Sequence, residues 1–315
     1  MHLISIHGIG DGGCAGSIEG DLDLGPHRRA DSDVWPENRL SRHPDESSCA
    51  DLCRLRRRLT PDDEVCLESI EIRTLIAALR WRGHRVDTHH HLPRRGMAEQ
   101  RAFLLSRSQA HYVHYVDDDV LLEPDMLERM LAVIQEEQCR FVGCAATGLD
   151  YLDDVRPHEQ GIELWEGLVV PEKFDGDSIP WHRQNVNNAA NPLHLELQLV
   201  RNGQTVRYKV AWVGGANVLF DREKLLAVGG FSWWDHLPPE HAGEEVVVQF
   251  LLLNRYGGCG ILPSGTYHLG LPTNVPDRRR NATELFDTLQ ERRDGRVAAS
   301  GPLSAEQTSS EVSHA

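Results

Sequence analysis

The stretch Tyr112-Val113-His114-Tyr115-Val116-Asp117-Asp118-Asp119-Val120-Leu121-Leu122-Glu123-Pro124 decides how this chain is read. Its first five residues are β-branched or aromatic apart from one histidine, which predicts a strand, and the strand runs into three consecutive aspartates. The chain restarts at Glu123-Pro124-Asp125, with proline suited to a first helical position. The helix that follows places Met126, Met130 and Val133, and also Leu127, Leu131 and Ile134, at spacings of 4 then 3. A strand, an acidic turn and an amphipathic helix in that order set the carboxylates at the carboxyl edge of a sheet, where open α/β sheets bind ligands.

Working outward, the same alternation continues on both sides. Upstream, Ile70 to Arg82 predicts a helix closed by Gly83, Arg85 to His90 a strand, and Gly96 to Ser108 a helix with Ala98, Ala102 and Leu105 on one face. Ala50 to Leu59 suits a short helix, Glu64 to Leu67 a short strand, and Leu3 to Ile6 a first strand, with residues 8 to 47 read as loop. Downstream, 143 to 204 shows few periods. Tyr208 to Val213 then reads as a strand entering Gly214-Gly215, and Asp221 caps a short helix ending at Gly229-Gly230. Gly243 to Tyr256 is a helix closed by Gly257-Gly258, and the strand Cys259 to Leu262 leads to His268. These patterns predict a single α/β domain with a mostly parallel central sheet flanked by helices. They divide the chain into a weakly defined N-terminal segment 1–60, a core domain 61–285 and a flexible tail 286–315.

Composition narrows the function classes. With 33 Lys+Arg against 48 Asp+Glu the net charge is −15, which repels polyanions, so nucleic acid is excluded as a partner and docking on an anionic bilayer is disfavoured. A chain of 315 residues with 40% hydrophobic and 26% charged residues is globular rather than disordered, collagenous or coiled-coil. The longest apolar stretch, Val246 to Leu253, is broken by Gln249 and falls short of the roughly 20 residues a membrane span needs. No span is therefore expected, peripheral membrane association stays open, and the start Met1-His2-Leu3-Ile4-Ser5, lacking a signal-like pattern, points to the cytoplasm. Seven cysteines without a C-x-x-C pair predict reduced, buried thiols rather than a zinc or disulfide framework. The run His89-His90-His91 lies on a predicted strand that splits it between two faces, which argues against a metal tract.

Adjacent carboxylates repel unless solvent, protons or a cation neutralise them. An oxygen-only cluster such as Asp117-Asp118-Asp119 suits Mg²⁺ or Mn²⁺, and a solvated acidic turn is the plain alternative. Context supplies the choice. The stretch from Gly96-Met97-Ala98-Glu99-Gln100-Arg101 through the acidic turn resembles family 2 glycosyltransferases of the GT-A fold, whose metal-binding D-x-D closes a strand. Trp212-Val213-Gly214-Gly215-Ala216-Asn217 through Gly229-Gly230-Phe231 resembles that family's glycine-rich acceptor-side segment. Gly243-Glu244-Glu245 resembles its G-E-D element, and Leu262-Pro263-Ser264-Gly265-Thr266-Tyr267-His268 the strand carrying its late histidine.

The resemblance spans roughly residues 95 to 270 and implies a GT-A, Rossmann-like fold. It implies metal-dependent, inverting transfer of a sugar from a nucleoside diphosphate donor to a hydroxyl acceptor, whether a glycan, a lipid-linked species or a small molecule. By the same resemblance Asp117, Asp119 and His268 are metal residues, His268 alternatively contacting the diphosphate. Arg101, Asp118, Gly214 and Gly215 are donor-binding residues, with Asp118 facing the ribose or pointing away, and Glu245 stands where the family has its catalytic Asp. Glu244 is the alternative base, because glutamate is one methylene longer than the family's aspartate. Either carboxylate at a helix N-terminus is expected to be favoured in its ionised form by the helix dipole.

A metal ion held by the aspartates would neutralise charge on the departing diphosphate, and a carboxylate on the opposite face of the sugar would take the acceptor's proton. The family's first nucleotide-binding turn is not recognisable here, with Asp11-Gly12-Gly13 or Asp62-Asp63-Glu64 as stand-ins. Trp233, Trp234, His236 and His241 read equally as acceptor-site or core residues, and Arg156-Pro157-His158-Glu159, Trp165 and Asn187 to Asn191 as unassigned polar groups with substrate contact as one use. Two rivals stand beside this reading. Ile6-His7-Gly8-Ile9-Gly10 resembles an α/β-hydrolase oxyanion loop, but no G-x-S-x-G elbow accompanies it. A catalytically weak GT-A-like module that binds a nucleotide sugar or glycan is the other.

Overall fold

The computed structural model describes residues 70–91, 93, 95–117, 119–270 and 279–293, with the backbone alone at 71 and 90, and the backbone alone of 2–8 and 14–21. In chain order the elements are β1 (His2–Gly8), β2 (Cys14–Asp21), α1 (Ile70–Trp81), β3 (Arg85–His90), α2 (Met97–Arg107), β4 (Tyr112–Asp117) and β5 (Val120–Leu122). Then come α3 (Met126–Glu136), β6 (Phe141–Gly143), β7 (Thr147–Gly148), a 3₁₀ turn at Trp181–Asn187, α4 (Asn191–Leu199) and β8 (Val206–Tyr208). The last are β9 (Asn217–Asp221), α5 (Arg222–Ala227), α6 (Glu244–Tyr256), β10 (Cys259–Leu262), β11 (Thr266–His268) and α7 (Phe286–Arg293).

Most elements with a strong period form where the pattern puts them. Gly83 follows α1 at φ +90°, and Gly257 follows α6 at φ +82°, a region where a Cβ is strained. Asp221 caps α5, its Oδ1 accepting from the Lys224 amide at 3.0 Å. Pro124 is a correction: α3 begins at Met126 with Asp125 at the N-cap, so the proline precedes the helix. The strand expected at Tyr208 to Val213 is a correction: the strand is Val206–Tyr208 and shares only Tyr208 with it. The predicted elements at Ala50 to Leu59 and Glu64 to Leu67 lie outside the described residues.

The main sheet has the order β3-β2-β1-β4-β9-β6-β10-β8. It is mixed, which corrects the expectation of a mostly parallel sheet: only β1–β4 and β6–β10 pair in parallel. The reason is β9. It enters from the carboxyl edge of β4, pairing Asn217 with Val116 and Asp221 with Tyr112, and so runs antiparallel to both β4 and β6. Alternation of strand and helix along a chain sets the layers but not the direction of each strand. A second correction is β2, which lies within the stretch read as loop and pairs antiparallel with β1 and β3.

Successive residues of the central strands serve opposite faces, as the pleat requires. Phe220 packs with Val113, Tyr115, Leu104, Val247 and Phe250 on the side of α2 and α6. Leu219 packs with Met126, Met130, Ile134, Val142 and Ile261 on the side of α3. Phe286, expected at the start of a frayed tail, is instead 2% exposed, its ring 5.2 Å from that of Phe250 in an edge contact. An aromatic side chain of that size stabilises by roughly 1.5–3 kcal/mol when fully buried, enough to hold a helix of weak intrinsic amphipathicity.

A small sheet, β5-β11-β7, stands beside the large one, with His268 paired to Val120 across β11 and β5. Cys139, Cys144 and Cys259 are free and buried. His89 and His91 both pack on the Phe103 ring, at 5.4 and 3.9 Å, and His91 Nε2 lies 2.6 Å from Glu99 Oε1. Among the described residues no helix is long and apolar enough to cross a membrane.

Candidate active site

The carboxyl edge of β4 ends in Asp117, whose amide donates to the Ala216 carbonyl at 3.0 Å and so joins the strand end to the glycine-rich segment. Asp119 opens β5. The Leu269 amide donates to the Asp119 carbonyl at 2.9 Å, and the β5–β11 register brings His268 Nε2 to 3.1 Å from Asp119 Oδ2. His268 Nδ1 accepts from the Gly270 amide at 2.9 Å, so the ring proton sits on Nε2 and is donated to Asp119. That hydrogen bond, with the charges of Asp117 and Asp150 nearby, raises the His268 pKa above its ordinary value against the opposing effect of burial. Asp118 lies outside the described residues.

Arg101, on α2, reaches this edge and is 5% exposed. Its Nη2 stands 3.7 Å from Asp117 Oδ1, and its Nη1 stands 3.5 Å from Glu244 Oε1 and 3.9 Å from Glu245 Oε2. The rings of Tyr115 and Phe231 lie 5.6 and 5.9 Å from the guanidinium carbon, a cation–π setting on the apolar side. Burial works to lower the Arg101 pKa, but the three carboxylates outweigh it and the value is raised. The guanidinium read from the resemblance as donor-binding thus faces three carboxylates of its own chain.

Glu244 and Glu245 open α6 directly after Gly243, which holds φ +81° and leaves no room for a Cβ against Asn281. Glu244 is 4% exposed, and the side chain of Glu245 is 17% exposed. The Glu245 carboxyl is pushed up to about 7, first by burial and then by the Glu244 charge, with Arg101 opposing. This reverses the direction expected from the helix dipole alone: loss of water and a like charge outweigh the N-terminal amides.

Gly215 closes the cluster. A Cβ there would meet Arg101 Nη2 at 2.9 Å and Glu245 Cγ at 3.0 Å, whereas one at Gly214 would meet nothing within 4 Å. The Gly214 amide donates to Asn187 Oδ1 at 3.5 Å, and Trp212 Nε1 donates to Gln184 Oε1 at 3.2 Å, so the 3₁₀ turn at Trp181–Asn187 backs this segment. Asp117, Arg101, Gly215, Glu244 and Glu245 therefore form one contact cluster. Asp119 and His268 form a pair beside it.

Other polar residues have partners within the chain. His241 is 1% exposed, accepts from the Ala98 amide at 3.2 Å through Nε2 and faces the Pro238 carbonyl at 2.7 Å through Nδ1, which caps α2. Burial lowers its pKa, in keeping with a neutral ring. Trp233 is buried and donates to the Gly230 carbonyl, whereas Trp234 stands under the Arg95 guanidinium at 5.6 Å. Arg156 pairs with Asp154 and Glu159, Asn188 donates to Glu159 at 2.9 Å, and Lys209 lies over Trp165. The stand-ins Asp11-Gly12-Gly13 and Asp62-Asp63-Glu64 lie outside the described residues, and His7-Gly8 of the hydrolase-like loop ends strand β1.

The family model described as Glycosyl transferase family 2 matches residues 73–195. This segment belongs to glycosyl transferase family 2. No curated protein matches the chain. The match over 73–195 implies the GT-A fold and supports glycosyl transfer as the general chemistry of this segment, and the α/β layers agree with that fold while the sheet is mixed. Arg101, Asp117 and Asp119 fall inside the family 2 match; Gly214, Gly215, Glu244, Glu245 and His268 lie beyond its end and join it through the tertiary contacts above. Among the described residues no group of three or more His, Cys, Asp or Glu side chains is arranged to hold a metal ion.

Sequence reasoning missed two buried carboxamides. Asn217 donates to Thr266 Oγ1 at 2.7 Å and faces His114 Nε2 at 2.6 Å, tying β9 to β4 and to the strand of His268. Gln249 bonds both polar atoms of the Val213 backbone. Its signal in sequence was a lone polar residue inside an apolar run.

Proposed function

We propose that this chain is a metal-dependent, inverting glycosyltransferase that moves a sugar from a nucleoside diphosphate donor to a hydroxyl acceptor, a glycan, lipid-linked species or small molecule. The observation that supports it best is the sharing of one buried guanidinium by Asp117 at the strand edge and Glu245 at the helix start, within 4 Å of each. A donor-side carboxylate and an acceptor-side carboxyl with a pKa near neutrality thus belong to one cluster.

Asp117 and Asp119 would hold Mn²⁺ or Mg²⁺, since both offer carboxylate oxygens and hard cations prefer them; bound there, the ion supplies Lewis-acid neutralisation of charge on the diphosphate. His268, with both ring nitrogens engaged, supports Asp119 by a hydrogen bond rather than offering a free lone pair. Glu245 in its ionised form takes the acceptor hydroxyl proton as the new carbon–oxygen bond forms and the bond to the diphosphate breaks. Attack opposite the leaving group inverts the anomeric centre. Glu244, closest to Arg101, anchors that cation. A Cβ at Gly214 would meet nothing within 4 Å, and Gly215 lets the backbone approach Glu245.

Hydrolysis of a panel of nucleotide sugars in the presence of Mn²⁺ tests the proposal. Metal-dependent turnover of at least one donor is the expected result. Binding without turnover favours the rival, a module that binds but does not transfer, which draws on the partial burial of Glu245; absence of any binding rejects both.

A further inference from the structure

Residues Val246 to Leu253 of α6 are all 5% exposed or less, and Gln249 among them is 0% exposed. A carboxamide in such a setting is unfavourable unless each of its polar atoms finds a partner. Gln249 uses both on one residue: its Oε1 accepts from the Val213 amide at 2.8 Å, and its Nε2 donates to the Val213 carbonyl at 2.9 Å. This two-point contact is what a neighbouring strand would offer, supplied here by a side chain.

Val213 is also seated from the other side, because a Cβ on Gly143 of β6 would meet the Val213 Cβ at 2.7 Å. Two residues later Gly215 lies against Arg101 and Glu245 with no room for a Cβ. Gln249 follows Glu245 by four residues, one helical turn, and so shares its face of α6. The same turn of helix therefore presents the carboxylate and grips the segment that packs on it.

We propose that Gln249 is a positioning residue for the reaction: it sets the register of Val213–Gly215 and thereby the placement of Glu245 and Arg101. The inference rests on the proposed function for its chemical consequence, but the grip itself is independent of it. A filler of volume would be replaceable by methionine, which has nearly the same shape and no hydrogen bonds to offer.

The test uses the full chain, wild type against Gln249→Met and Gln249→Asn, the second keeping the carboxamide but falling one methylene short. Hydrogen exchange at Val213 and steady-state hydrolysis of the nucleotide-sugar panel with Mn²⁺ are read together. The expected result is slow exchange at the wild-type Val213 amide, at least tenfold faster exchange in both variants, and kcat lowered tenfold or more with donor KM within threefold. A folded Gln249→Met with wild-type kcat overturns the proposal, and should that variant not fold, Gln249→Asn with wild-type kcat does so. If the wild type hydrolyses no donor, the proposed function fails separately. Rapid exchange at the wild-type Val213 amide, or unchanged exchange in the variants, then rejects the grip itself.

Discussion

Nη1 of Arg101 lies 3.5 Å from Oε1 of Glu244, and both side chains are only 6% exposed. Asp117 and Glu245 draw on the same guanidinium from 3.7 and 3.9 Å, so one cation serves three carboxylates. The excess of negative charge helps to keep the Glu245 carboxyl protonated well above its ordinary range, and it leaves the strand edge able to accept a further cation.

Replacing Arg101 with methionine keeps most of the volume and removes the charge. Breaking a buried pair from one side costs about 3–5 kcal/mol because the remaining charges are left uncompensated. Arg101→Met is therefore expected to lower the midpoint of chemical denaturation markedly, with Arg101→Lys falling between it and the wild type. A denaturation midpoint equal to the wild type's would show that the carboxylates do not depend on this cation.

Glu245 links activity and stability to pH in opposite senses. As a base it must be ionised, so turnover is expected to climb as pH rises through about 7. Its folded pKa lies above the ordinary carboxylate value, so the folded state holds the proton more tightly than the unfolded one. The stabilisation is complete below the ordinary value and is lost as pH rises towards and past about 7. Denaturation curves of wild type and Glu245→Gln across pH 4 to 8 check this: the wild type should lose stability relative to the variant as pH rises. The variant's turnover should also fall sharply with donor binding retained.

The two neighbouring glycines separate steric need from open space. A methyl at Gly215 would press on Arg101 and Glu245, whereas one at Gly214 enters room with no protein atom within 4 Å. Gly215→Ala is expected to reduce turnover at least tenfold and to lower the melting temperature. Gly214→Ala should melt like the wild type, any effect being confined to ligand affinity. Equal melting temperatures for the two variants would contradict the observed packing.

Metal uptake should follow the strand edge. Asp119 is partly exposed and pairs with His268, so Asp119→Ala is expected to leave the fold nearly intact. Calorimetric titration with Mn²⁺ in the presence of UDP should show uptake by the wild type and at least a tenfold weaker signal in the variant. Undiminished uptake in Asp119→Ala would move the ion elsewhere.

The parts of the fold legible in sequence were those encoded locally. The Tyr112–Asp117 strand, the α3 stripe, the Asp221 cap and the glycine that closes α6 each rest on neighbours within a turn or two. β2 escaped because its Gly- and Ser-containing residues have little strand preference of their own and are held by ladders to β1 and β3. The burial of Phe286 depends on Phe250, 36 positions away in the chain, which no local period reports. His241, balanced in sequence between acceptor site and core, became a helix cap through an amide 143 positions earlier.

By itself the sequence determined the strands and helices on either side of the acidic turn, that turn at the end of β4, the paired glutamates at the head of α6 and the family resemblance that joins them. Periodicity, capping and turn chemistry act over a few residues, so they survive in a one-dimensional reading. Only the tertiary structure decided which way β9 runs, which carboxylates surround Arg101, and which direction the Glu245 proton affinity moves. Those outcomes depend on desolvation and on charges brought together from distant parts of the chain, and neither quantity exists until the chain has folded.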